Sequence, residues 1–441
     1  MPKESQELGT WRRTHYSSDL NPKLDGSVIT IFGRVASIRE QKGITFIILQ
    51  DKYGKLQVTI KEDEASGEVL DTIKNLQEHS ILGIRGTLKS IDKAPQGAEL
   101  IPDEIRILDY VKSSLPFNPF KRELPSLDKR LDIRALDLRR PEVQAIFRIR
   151  NAASWAIYEF LRKKDFIEVN TPKIIASATE GGAELFPLLY YDKEAFLAQS
   201  PQLYKEQLTG SLEKVFEVAP IFRAEQFNTQ KHLSEAISVD VEEAYVDYKD
   251  SMKLLEDLIC FIVDFVNKKC QNDLEILKPE IEIPKAPFKR LSYNEILEIL
   301  DKESVEVDWG EDLTTATLKK CSEKISGFYF ITDWPTSLKA FYMKSKKDEP
   351  RICESFDLMY GSLELASGGT RVDSREVLTT NLKNKGLEPE RFEYHLKIFD
   401  YGMPPHSGFG LGFDRLIMVL TGKENIREVV LFPRDPSRLT P

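Results

Sequence analysis

Cysteine is scarce in this chain. Four residues in 441, Cys260, Cys270, Cys321 and Cys353, lie far apart with no CxxC pair, which argues against a disulfide framework and a structural zinc site. No apolar run approaches the roughly 20 residues needed to span a bilayer. Positive charge is not in excess: 62 Lys and Arg face 71 Asp and Glu, a net charge of −9, which argues against a general nucleic-acid packaging protein. The first 125 residues hold 18 basic and 18 acidic side chains, so nucleic acid bound there must be held by local contacts and stacking. A Walker loop and a strand-preceded GxGxxG are also missing, so ATP chemistry would need a different cradle. The opening Met-Pro-Lys-Glu-Ser-Gln-Glu has no secretory-signal character, and a cytoplasmic location is expected.

The composition is that of a folded globular protein, 41% hydrophobic and 30% charged with 24 Phe and 15 Tyr, and the length suggests two or three domains. From Ser27 the pattern alternates as in a strand. Further strand patterns cover Ile44–Leu49, Leu56–Ile60, Ser80–Leu88 and Glu99–Leu108, with a short helix over 67–78. Five short strands with one helix before the fourth predict a small Greek-key barrel of the OB type over 1–111. Residues 112–138, with Pro116, Pro119 and Pro125, read as a linker. A second domain is expected over 139–441, opened by an amphipathic helix with Ile146, Ile149, Ala153, Ile157 and Leu161 on one stripe. Its strands and helices lack the βαβ alternation of a doubly wound sheet. Residues 275–345 carry no functional signal.

Four stretches of the second domain carry chemistry. In Val215–Glu225, Arg223 closes a strand, where its guanidinium suits a phosphate. In the strand that follows, Ile237, Val239 and Val241 share one face and Ser238, Asp240 and Glu242 the other. A charged strand face usually meets water; the alternative is that it lines a site. In Ser355–Arg371, a turn at Tyr360-Gly361 would set Asp357 directly opposite Glu364, and two facing carboxylates need a cation between them. With Ser367 they form an oxygen set suited to Mg²⁺ on nucleotide phosphates, unless they belong to an exposed hairpin. In Gly402–Leu420, a Gly-rich strand delivers Arg415 in the first turn of a helix. In Gln199-Ser200-Pro201-Gln202-Leu-Tyr-Lys205, Ser200 suits an N-cap, and Gln202 and Lys205 then share a helix face.

Together these residues resemble the three motifs of class II aminoacyl-tRNA synthetases, in the subclass that charges Asp, Asn and Lys. Phe166–Pro172 is similar to motif 1, Phe222-Arg223-Ala-Glu225 with the loop to His232 to motif 2, and Gly410-Leu-Gly412-Phe-Asp-Arg415 to motif 3. Within the subclass the likeness is to archaeal-type aspartyl enzymes, through Thr179-Glu180-Gly181-Gly182, the Ser-Pro-Gln-x-x-Lys box and Gly402-Met-Pro-Pro-His406. Asparaginyl enzymes carry Ser-Gly-Gln in that box and lack its lysine.

The resemblance implies an α+β chain: an OB-fold anticodon-binding barrel followed by a catalytic domain with an antiparallel sheet flanked by helices. It implies an ATP-dependent aspartate–tRNA ligase, working as a homodimer through motif 1. Arg223 and Arg415 would be the catalytic arginines. Arg223, Glu225, His232, Glu364, Gly412 and Arg415 would hold ATP, and Asp357, Glu364 and Ser367 would hold Mg²⁺. Glu180, Ser200, Gln202, Lys205, Asp240, Ser367 and Arg371 would surround the aspartate, with Lys205 and Arg371 on its side-chain carboxylate. In the barrel, Phe46, Gln57 and Glu99 would read the anticodon, although Phe46 also fits a core position. Three positions depart from the pattern: Ala236 replaces a Phe that stacks on adenine, Lys231 an Arg, and Gln50 an Arg. Enzymes of this type that reject the asparagine tRNA tend to carry Trp and Lys where Ala36 and Pro95 stand, so charging of both tRNA(Asp) and tRNA(Asn) is expected. The alternatives are an asparaginyl enzyme and a tRNA-binding paralogue without catalysis.

Overall fold

The computed structural model describes residues 5–74, 76–177, 184–226, 228–281 and 283–441. The chain divides into two units, Met1–Leu124 and Pro125–Pro441.

In the first unit, β1 (Val28–Gln41), β2 (Ile44–Gln50), β3 (Lys55–Lys61), β4 (Ile81–Ser90) and β5 (Ala98–Asp109) close into a barrel in the order β1-β2-β3-β5-β4. The helix before β4 spans Gly67–Ile73, shorter than its apolar pattern predicts, and is capped by Ser66, whose side chain accepts from the Val69 amide. Alternation sorts the strands: Ile31, Ile47, Leu49, Leu56, Val58, Leu82 and Leu100 fill the interior, each burial contributing roughly 1.5–3 kcal/mol. Phe46 belongs to the opposite face and is only half-buried, with the Arg39 guanidinium 5.7 Å above its ring.

The second unit starts with structure where the Pro-rich pattern predicts linker. Helices Leu127–Leu131 and Arg134–Asp137 are held by the buried Asp137 carboxylate, which takes Arg134 at 2.8 Å and Arg130 at 3.2 Å. Arg134 also donates to the carbonyls of Glu428 and Val430. Prolines break periodicity without preventing a segment from docking through charge.

The remaining strands are β6 (Ile167–Glu168), β7 (Ile174–Ile175), β8 (Pro187–Tyr190), β9 (Lys193–Leu197), β10 (Lys214–Phe222), β11 (Glu235–Ala244), β12 (Lys289–Ser292), β13 (Phe328–Thr332), β14 (Ser355–Tyr360), β15 (Leu363–Thr370) and β16 (His406–Gly412). Eight of them form one sheet in the order β12-β13-β14-β15-β16-β11-β10-β6, and β7-β9-β8 form a small second sheet. The large sheet is antiparallel except for the β6–β10 and β12–β13 pairs. Helices Pro141–Lys163, Tyr248–Lys269 and Phe413–Thr421 contribute Ile149, Ile157, Leu255, Ile259 and Leu416 to a core shared with Val239, Val241, Phe356, Phe409 and Leu411 of the sheet. The period-2 alternation therefore sends Asp240 and Glu242 of β11 and Asp357 of β14 to the other face, where they are also buried. The charged face of β11 is the floor of a site rather than an exposed surface.

Candidate functional site

A cavity of about 560 Å³ opens on that face. β11 supplies Ser238 and Asp240, β15 supplies Glu364 and Ser367, and β16 supplies Gly410 and Gly412. Arg223 and Glu225 enter from the end of β10, His232 from the loop that follows, Arg415 from the helix after β16, Ser200 and Gln202 from the start of the Gln202–Leu212 helix, and Arg371 from the end of β15.

The hairpin differs from its expected register. The turn is Gly361-Ser362, with Gly361 at φ +56°, and Tyr360 faces Leu363. Met359, not Asp357, pairs with Glu364; a bulge at Leu365 then sets Asp357 opposite Ser367. The extra residue restores the parity of the strand, so the three side chains still share a face. Lys339 already stands against Asp357: its Nζ donates to both carboxylate oxygens at 2.7 and 2.6 Å. Burial pushes the Asp357 carboxyl up, Lys339 opposes that, and the nearby Glu364 charge adds to it. Among the described residues no three His, Cys, Asp or Glu side chains gather at one point. Two carboxylates and a hydroxyl fit Mg²⁺, which takes few protein oxygens and fills its octahedron with phosphate and water.

Lys205 and Arg371 come together on one carboxylate. Arg371 places Nε 2.8 Å and Nη2 3.2 Å from the two oxygens of Glu242, and Lys205 Nζ lies 3.2 Å from Glu242 Oε2. Lys205 also donates to Asp240 Oδ1 at 3.0 Å and to the Phe409 carbonyl at 3.1 Å, while Ser238 takes Asp240 Oδ2 at 2.6 Å. Two cations thus balance two anions, all buried. Lys205 is 2% exposed and lies behind the cavity wall, reaching it through Asp240. Arg371 lines the cavity, and among the described residues its third nitrogen, Nη1, meets only the Met343 sulfur at 3.1 Å, a weak acceptor. Gly408 makes room for this arrangement: a Cβ there would sit 2.1 Å from the Val241 carbonyl and 2.3 Å from Glu242 Oε2.

The helix expected from Ser200-Pro201 begins at Gln202, and the Ser200 hydroxyl accepts from the Gln202 amide at 3.2 Å. Gln202 Nε2 donates to Glu206 Oε1 at 2.7 Å. Glu206 is completely buried beside His395 Nε2 at 3.3 Å and His406 Nε2 at 3.8 Å. Burial works to raise the Glu206 carboxyl, but the two histidines overcome it and hold it well below the usual range. His406, in turn, is lowered by burial, and Glu206, Glu242 and the Pro404 carbonyl together outweigh that and raise it.

On the phosphate side, Arg415 donates from Nη1 to the Glu364 carbonyl at 2.9 Å and from Nε to the Lys231 carbonyl at 3.3 Å. Its helix is anchored by Asp414, which accepts from Arg150 at 2.5 Å and from the Ile237 amide at 2.8 Å. Arg223 lies 3.9 Å from Glu225. Burial, with Arg415 and Arg223 nearby, pushes His232 down to about 4. Lys231 reaches the Ser362 carbonyl at 3.3 Å, tying this loop to the β14–β15 turn. Ala236 and Leu233 leave an apolar patch in the wall. Glu180, with Thr179, Gly181 and Gly182, lies outside the described residues.

Sequence reasoning missed Glu242 as a site residue, the Glu206–His395–His406 cluster, and Lys339. Glu206 stands one turn from Gln202, a spacing that could have flagged it. Lys339 belongs to 275–345 and gave no signal.

In the barrel, Gln57 Nε2 and Thr59 Oγ1 donate to Glu99 Oε2 at 2.9 and 2.7 Å. A second cavity, about 360 Å³, is lined by Ala36, Gln57, Pro95 and Phe120. It gathers both positions expected to bear on tRNA choice.

Among curated proteins, an "Aspartate--tRNA(Asp/Asn) ligase" of Methanothermobacter thermautotrophicus is 46% identical over 98% of this chain and 100% of its own length. One of the same name from Methanocaldococcus jannaschii is 47% identical over 98% and 99%. Among solved structures, asparaginyl-tRNA synthetase from Pyrococcus horikoshii with asparaginyl-adenylate superposes with a TM-score of 0.93 at 33% identity, covering 98% of this chain and 100% of that one. Aspartyl-tRNA synthetase from Entamoeba histolytica gives 0.88 at 31%, covering 100% and 96%. Residues 29–108 match the OB-fold nucleic acid binding domain. Residues 126–436 match the tRNA synthetases class II (D, K and N), and the chain belongs to that family.

Proposed function

We propose that this protein is an ATP-dependent aspartate–tRNA ligase that charges both tRNA(Asp) and tRNA(Asn). The observation that carries the amino-acid choice is the buried quartet of Lys205, Arg371, Asp240 and Glu242 beside a cavity that Arg371 lines, its Nη1 held only by a weak acceptor. A carboxylate tip entering there meets an arginine N–H with a lysine behind it. Arg371 already has Glu242 as its anion, so an isosteric amide would only offer the remaining N–H a neutral, weaker acceptor, a difference of about tenfold or more in discrimination.

The reaction joins the aspartate α-carboxylate to the α-phosphorus of ATP as diphosphate leaves, and a terminal ribose hydroxyl of tRNA then accepts the aspartyl group. No protein nucleophile takes part; positioning and charge neutralisation lower the barrier. Arg223 grips the α-phosphate and Glu225 the adenine amino group, while His232 and Arg415 hold the γ-phosphate side. Gln202 gives its NH₂ to Glu206, which leaves the carbonyl oxygen for the substrate ammonium, beside Asp240 and Ser200. Asp357, Glu364 and Ser367 would hold Mg²⁺, which when bound neutralises phosphate charge.

Gln57, Thr59 and Glu99 form a polar cluster on the barrel with Phe46 half-exposed nearby, a combination suited to stacking on an anticodon base and hydrogen-bonding to it. The cavity holding Ala36 and Pro95 supports relaxed tRNA choice, because neither residue supplies bulk or charge. The exposed Ile167 within motif 1 and Ile174 just after it support a homodimer through that segment. Among the described residues no helix is long and apolar enough to cross a membrane; a cytoplasmic setting is the one where these substrates occur.

Pyrophosphate exchange with aspartate or asparagine as the only amino acid tests the activity, and charging of the two purified tRNAs tests the range. Exchange with asparagine alone would make this an asparaginyl enzyme. Product on tRNA(Asp) alone would retire the dual specificity.

A further inference from the structure

Lys339 occupies a position that the synthetase chemistry does not require of it. It follows the 3₁₀ turn Thr336–Leu338 on the cavity wall. Its side chain is 13% exposed, and its ammonium bonds both oxygens of Asp357. The ammonium also lies over the Trp334 ring, 4.4 Å from its centroid. Asp357 itself is 2% exposed and has Ser367 as its cross-strand neighbour. A carboxylate with both oxygens on an ammonium cannot also ligate a divalent ion without forcing two cations together in a desolvated pocket, where charge repulsion is strong.

We propose that Lys339 is the resident counter-ion of Asp357, competes with the divalent metal for it, and yields the carboxylate when metal and nucleotide enter together. The proposal rests on the synthetase reading only in supposing that the metal arrives with nucleotide. In the empty site Lys339 keeps a buried acid neutralised and stray metal out. In the filled site its ammonium is released on the wall of the same cavity.

Mn²⁺ alone, titrated into nucleotide-free full-length protein and followed by the electron spin resonance of the free ion, is the test. Lys339→Met keeps the packing on Trp334 and removes the charge, and should tighten Mn²⁺ binding by about tenfold or more. The added Asp357→Asn change should cancel that gain. Lys339→Arg, which restores a cation, should return binding to the wild-type level. In the wild type, Mg²⁺ with a non-hydrolysable ATP analogue should change the part of the tryptophan emission that Trp334→Phe removes. Equal Mn²⁺ affinity in wild type and Lys339→Met, with both folded by circular dichroism, would overturn the proposal. Aspartate-dependent pyrophosphate exchange measured on the same wild-type protein separates the two ideas. Exchange with unchanged Mn²⁺ binding removes only the competition, whereas absence of that exchange removes the aspartate-activating reading.

Discussion

Arg371 spends two of its three nitrogens on Glu242 and turns the third toward a thioether. Lysine cannot reproduce that fork. Arg371→Lys should therefore raise the aspartate KM by about 10²-fold or more while leaving the ATP KM nearly unchanged, as read by pyrophosphate exchange. Lys205→Ala leaves Asp240 and Glu242 short of a cation; it should abolish aspartate activation, keep ATP binding, and cost about 3–5 kcal/mol in denaturant unfolding. His232, held down to about 4 by burial and by Arg415 and Arg223, is neutral in the empty site near pH 7. A triphosphate beside it favours the imidazolium, so ATP binding should take up a proton and strengthen as pH falls from 7 toward 5. Calorimetry in buffers of different ionisation enthalpy checks the uptake; equal heats in all buffers would contradict it.

At the level of elements, the bulge at Leu365 decides whether Glu364 and Ser367 share the Asp357 face. Deleting Leu365 would leave Met359–Glu364 and Asp357–Ser367 as regular pairs, so Glu364 and Ser367 would keep the Asp357 face. Its cost should be that of the lost core side chain, about 2–5 kcal/mol in denaturant unfolding, rather than lost alignment of the site. The close approach of β16 to β11 makes a second case. A methyl group at Gly408 would collide with the Val241 carbonyl and Glu242. Gly408→Ala should destabilise by roughly 1–3 kcal/mol and raise the aspartate KM through Glu242, whereas an overpacked site without that role would move only the melting temperature.

For the whole molecule, Glu206 comes from a segment distant from that of His395 and His406, and all three side chains are fully buried where they meet. Glu206 is held low, so its contribution is present above its unfolded value near 4.5 and is lost as pH falls below it. His406 is held high, so its contribution is complete below its unfolded value near 6.5 and is lost as pH rises through its folded value. The stability that Glu206→Gln removes should accordingly be largest between those limits and shrink on both sides, in thermal unfolding compared with wild type across pH. In the barrel unit, Ala36→Trp with Pro95→Lys fills and charges the cavity that both residues line. That double change should lower charging of tRNA(Asn) relative to tRNA(Asp), by about tenfold if it spoils one base contact; an unchanged ratio would dissociate this cavity from tRNA choice.

The alternation of apolar residues and the Gly-rich run into Phe413-Asp414-Arg415 were enough to predict the barrel, the strand pair β10–β11 and the strand-to-helix junction at Phe413, because each depends on neighbours a few residues apart; the cap of the helix after Ser200 falls one residue later, on Pro201. The same local signals named Arg223, Arg415, Lys205 and Asp240 as chemical groups. Alternation could not say whether the face of Ser238, Asp240 and Glu242 meets water, since that depends on what the rest of the chain lays over it. Nor could it locate the bulge at Leu365, which is set by contacts with the adjoining strands. The carboxylate that Lys205 and Arg371 share, the Lys339 ammonium on Asp357 and the histidines around Glu206 are pairings across tens to hundreds of residues. Burial alone selects them, because a charge removed from water is stable only where the folded chain supplies its opposite.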